Sequence, residues 1–169
     1  HPLNEEFVIL RILHIVFGVF WAGSAIFLAT ILEPRLRALG PAVQGPVMRA
    51  LIPVMVPAML FSATITIAAG ITLALRLRWD DLDSFLNTGW GWAILIGFVA
   101  SMVAYTIGMM TSAAGRRMVA LGASIEGRPP TPDEGARIQQ LGSRLTLYGR
   151  ANAVLVIIAV VSMASARFV

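Results

Sequence analysis

The chain has 169 residues, of which 57% are hydrophobic and 13% charged, with a mean hydropathy of +0.79 and a formal net charge of +4. Soluble domains carry about 25% charged residues, so this balance predicts a membrane protein. All thirteen basic residues are arginines set between apolar runs rather than gathered in a stripe, which argues against nucleic-acid binding, and the absence of cysteine excludes disulfides, thiolate metal sites and iron–sulfur clusters.

The chain begins at His1 rather than methionine, which points to a tag remnant or a processed end. The first apolar run outlasts a signal-peptide core and has no small-residue cleavage site before a polar mature chain, so it reads as a retained span. Four runs, at about 7–32, 52–75, 90–114 and 147–166, reach the roughly 20 apolar residues that a helix needs to cross a bilayer core. They are too long and too uniform for barrel strands. Hydrocarbon offers backbone groups no water partners, so the runs are expected to be helices. The expectation is an all-α, integral-membrane four-helix bundle forming one domain over 1–169.

The first span, "FVILRILHIVFGVFWAG", carries Arg11 and His14, the one histidine besides His1. Helical spacing places Arg11, His14, Gly18, Ala22, Ala25 and Ala29 on one face. Small residues there serve as a packing seam between helices, or leave room for a flat cofactor against the backbone. Desolvation and the nearby Arg11 both disfavour a charged imidazole, and the neutral ring is the form that ligates metals. His14 is thus either a ligand or a histidine hydrogen-bonded to a neighbouring helix. Arg11 is placed to reach the interface or to pair with an anion such as a haem propionate.

The connections carry the orientation. Arg35, Arg37 and Arg49 lie in the first loop, and Arg116, Arg117, Arg128, Arg137 and Arg144 in the third. The second sets Arg76 and Arg78 against Asp80, Asp81 and Asp83, and Glu5 and Glu6 precede the first span. The positive-inside rule then predicts loops one and three in the cytoplasm and both termini outside. Trp79, Trp90 and Trp92 would form an interfacial aromatic belt at the outer loop. Gly40–Pro41 and Gly45–Pro46 read as turns, and Pro53 and Pro57 as kinks near the start of the second span. In "GRPPTPDEGARIQQL", Thr131 as N-cap, Pro132 behind it and Glu134 three residues after the cap start the fourth helix near Pro132. With the third helix prolonged over 115–124, this predicts a cytoplasmic helical hairpin, either a solvated linker or a docking surface.

Hydroxyls in the spans are expected to bond within or between helices, and Tyr105 and Asn152 bring donors that need partners. No carboxylate falls inside the four runs, which counts against a proton-coupled transporter, and no catalytic constellation is visible. His1 with its own amine supplies too few ligands for copper.

"LHIVFGVFWAG" followed by "LEPRLRALGP" resembles the first helix of the CopD-like four-helix bacterial membrane proteins. That group takes in the copper-resistance membrane domain and the membrane part of urate oxidase, with HemJ-type protoporphyrinogen oxidase more distant. His14, Trp21, Gly23 and Pro34 carry the resemblance, and "RIQQLGSRLTLYGRANAVLVIIAVV" is similar to a later helix entry of the group. The resemblance implies a multi-pass protein of the bacterial plasma membrane and a b-type haem held by transmembrane histidines. Only His14 matches, so two histidine ligands from one chain are excluded by counting. A five-coordinate haem, a His–Met pair using Met55, Met59, Met102, Met109 or Met110, or a cofactor shared by a homodimer remain.

The leading expectation is a haem-binding redox subunit with His14 as metal ligand, Arg11 as propionate partner, Gly18 and Ala22 as the cofactor's bed, and a separate redox partner. Its rivals are a cofactor-free interaction protein working as a homo-oligomer in the bilayer and a small-solute or copper-ion transport protein.

Overall fold

The computed structural model describes residues 2–78 and 84–169. Arg78 is described as backbone only. His1, Trp79, Asp80, Asp81 and Asp83, named above, lie outside the described residues. Helix α1 (Pro2–Phe27) passes through a π-helical segment, Leu28–Leu32, into α2 (Glu33–Ala38). Then follow α3 (Pro41–Arg78), α4 (Gly89–Ser124) and α5 (Pro132–Ser165), which ends in a 3₁₀ turn, Ala166–Phe168. No strand occurs among the described residues. Four helices, Asn4–Ala38, Pro41–Leu77, Gly89–Ser124 and Pro132–Phe168, are long and apolar enough to cross a membrane. That is the build of a multi-pass membrane protein.

The helices form a ring in which α1 packs on α3, α3 on α4, α4 on α5 and α5 on α1. The core is made of small residues: Ala22, Ala25, Ala63 and Ala104 surround Trp21 and Val156. Only 17–28% of each helix's most apolar stretch is buried, and Val19, Phe61, Leu147 and Val161 stand more than 60% exposed. So much apolar surface has to meet something other than water. Hydrocarbon suits such a surface.

The π segment has a local cause. Pro34 has no N–H to continue an α-helical ladder, so the chain widens by one residue just before it, and the Glu33 N–H donates to the Leu28 carbonyl five residues back. Gly40 closes α2 with φ +87°, a conformation that glycine adopts without Cβ strain, and its N–H donates to the Arg37 carbonyl. Pro41 then opens α3. The turn expected at Gly45–Pro46 does not form: Pro46, Pro53 and Pro57 all lie inside α3. A proline removes one ladder bond yet leaves the rest, and packing against α1 and α4 holds the helix together.

The hairpin follows its cap signals. Thr131 Oγ1 accepts the Glu134 N–H at 3.3 Å, and a Glu134 carboxylate oxygen accepts the Thr131 N–H at 2.8 Å, which completes a capping box. Arg128 clamps the same carboxylate with two hydrogen bonds, at 2.7 and 2.8 Å. The Arg128 guanidinium, and after it the Thr131 N–H, hold the Glu134 carboxyl at about 2, and Glu134 raises the Arg128 guanidinium in return.

A depressed carboxyl stabilises the fold above the ordinary carboxylate range and stops doing so as pH falls through its folded value. Protection of the amides at 133–135 against hydrogen exchange should therefore hold steady from pH 7 to about 4.5 and fall as pH approaches 2. Glu134→Gln should remove the acid-sensitive part at every pH, lowering protection roughly three- to tenfold, as loss of a cap does.

Candidate functional site

The faces of α1 and α3 meet along the stripe of small residues. Ala22 and Ala25 are buried, and a Cβ on Gly18 would stand 3.3 Å from Thr66 Cγ2. The room left by Gly18 and Ala22 is therefore filled by α3 of the same chain.

His14 sits where this seam nears the end of the bundle that holds the termini. Its Nδ1 lies 2.8 Å from the carbonyl oxygen of Thr66. A carbonyl only accepts, so Nδ1 carries a proton and donates it, and Nε2 makes no hydrogen bond among the described residues. Thr66 Oγ1 meanwhile donates back to the Ser62 carbonyl at 2.7 Å, which leaves its own carbonyl to receive the imidazole. The ring lies against Gly70, where a Cβ would come within 2.8 Å of Cε1 and 3.0 Å of Nδ1. Glycine at 70 is what lets an imidazole come this close to the α3 backbone.

Arg11 is exposed on the same face and makes no ion pair or hydrogen bond among the described residues. Glu6 and Arg76, at 3.0 Å, join α1 to α3 above it.

Two further polar constellations join helices. Toward the hairpin end, Thr146 of α5 donates to a Glu33 carboxylate oxygen at 2.6 Å, and Arg37 reaches both Glu33 and the Thr146 hydroxyl. Glu33 lies one residue beyond the apolar run, outside the span that hydropathy marks. The pointer to it was "LEPR", a carboxylate with arginines beside it at a proline. At mid-height, Tyr105 of α4 bonds Thr64 of α3 at 3.0 Å, and Asn152 is buried. Both had been singled out in the sequence.

No group of three or more histidine, aspartate or glutamate side chains able to hold a metal ion occurs among the described residues. The hollow at mid-height measures about 30 Å³, far below the several hundred Å³ of an organic-ligand site. Met59 lines that hollow and His14 does not. A wider, shallow hollow of about 440 Å³ lies on α5 beside Gln139, Gln140 and Arg144, away from His14. Among the described residues, the feature that suits a metal is Nε2 of a ring whose Nδ1–H is held by a carbonyl, the usual setting of a ligating histidine.

The chain matches no family model, and no curated protein or solved structure matches it.

The His14–Thr66 bond and the Gly70 contact act as one unit, so their loss should not add. His14→Ala and Gly70→Ala are each expected to cost about 1 kcal/mol, and the double variant little more than either. Unfolding of the detergent-solubilised protein checks this. Additive losses would mean that the ring and Gly70 are independent.

Proposed function

We propose that this chain is a scaffold subunit of a bacterial plasma membrane, related to the CopD-like proteins, with both termini outside and the hairpin in the cytoplasm. It works through the shape of its bundle and through the hairpin rather than around a group enclosed by its own helices. One observation carries the reading: the imidazole of the first span is used to clamp α1 onto α3, through Thr66 and Gly70. Glu33 with Thr146 and Tyr105 with Thr64 support it, because each of these polar side chains also joins one helix to another. Arginines gathered toward the hairpin end support the orientation.

A second reading is favoured by His14 Nε2, which makes no hydrogen bond among the described residues. Two copies facing each other at the termini end would bring two imidazoles and two unpaired Arg11 side chains to one interface. A b-type haem would fit there as a shared group, with the histidines as axial ligands and the arginines toward its propionates.

An absorption spectrum separates the two. Protein made with haem supplied should show no Soret band under the first reading, while His14→Ala only lowers its melting temperature. A Soret band that disappears in His14→Ala overturns it in favour of the shared haem. For the orientation, Asn87→Cys should react with a membrane-impermeant thiol reagent in intact cells and Glu126→Cys only after lysis. The reverse pattern would refute it.

A further inference from the structure

The hollow at mid-height has an unusual lining for the centre of so apolar a chain. Trp21 of α1, Met59 and Ala63 of α3, Tyr105 and Thr111 of α4, and Asn152 of α5 surround about 30 Å³. Among the described residues, Asn152 Oδ1 is the buried side-chain atom without a hydrogen-bond partner, on a residue only 7% exposed. An amide oxygen left so costs roughly 1–3 kcal/mol, and packed interiors rarely keep one.

The protons of the neighbouring hydroxyls are already committed. Thr64 Oγ1 donates to the Leu60 carbonyl at 2.8 Å, so in the Thr64–Tyr105 pair the tyrosine must be the donor. Thr111 Oγ1 donates to the Ile107 carbonyl at 2.9 Å. Tyr105 and Thr111 thus line the hollow with hydroxyls whose protons are already committed, and Asn152 brings an amide whose oxygen lacks a donor. What this site takes is a small molecule that donates more than one hydrogen bond. The volume admits about one such molecule of water's size, and a buried water typically makes two to four bonds of this kind.

We propose that the hollow is a binding site for a single resident water, which donates to Asn152 Oδ1 and to the Tyr105 or Thr111 oxygen. Such a water ties α5 to α4 beside Trp21, next to the core of Ala22, Ala25, Ala63 and Ala104. It also gives the Asn152 amide oxygen, buried and otherwise without a partner, a donor.

Two measurements test it. In the wild-type protein in detergent, the Asn152 side-chain amide should show exchange-independent cross-peaks to a long-lived water. Asn152→Leu, which fills the hollow with carbon and removes the amide, should lower the folded-to-unfolded ratio roughly fivefold to thirtyfold, because it strips a satisfied network. If the hollow is dry, the leucine variant is as stable as the wild type or more so, and no water cross-peak appears. Either result overturns the proposal. A leucine variant that does not fold leaves the wild-type cross-peak to decide.

Discussion

A polar group inside hydrocarbon has no solvent to fall back on, and that constraint organises nearly every side-chain contact within this bundle. Threonines answer it locally. Thr30, Thr64, Thr66, Thr72, Thr106 and Thr111 each donate to the carbonyl four residues back. Groups too long or too rigid for that solution must look to another helix, and they set which helices meet. His14 finds α3, Tyr105 finds Thr64, and Glu33 finds Thr146. A few residues therefore carry the specificity of a bundle whose van der Waals core is nearly featureless.

Close approach is the second half of the arrangement. Alanines and glycines at the helix contacts bring backbones near enough for side chains to bond main-chain carbonyls directly. The His14–Thr66 bond needs Gly70 as much as it needs histidine. One large residue, Trp21, fills the middle of this small-residue core, and the remaining hollow lies against it beside Asn152. Without hydrophobic exclusion of water to hold helices together, such contacts and their packing are what set the bundle's geometry.

The small-residue stripe shows how one pattern supports two functions until a partner is seen. A face that runs through His14, Gly18, Ala22 and Ala25 suits a flat cofactor or a neighbouring helix equally well. In this chain α3 occupies it, so any ligand chemistry at His14 is left to Nε2 alone.

Length and hydropathy alone determined the four helices, because a run of some twenty apolar residues has one way to satisfy its backbone in hydrocarbon. The hairpin was equally legible, since Thr131, Pro132 and Glu134 form a cap from neighbours in the chain, and caps depend on local geometry. Local rules misjudged Gly45–Pro46, where packing carries the helix through a pair that would turn an unsupported chain. Which oxygen His14 bonds, that Glu33 pairs with Thr146, and that Asn152 lacks a donor were decided only by the tertiary structure. The helices that meet at these points are 52 residues apart for His14 and Thr66, and 113 for Glu33 and Thr146. No periodicity within a single helix records which neighbour will stand opposite.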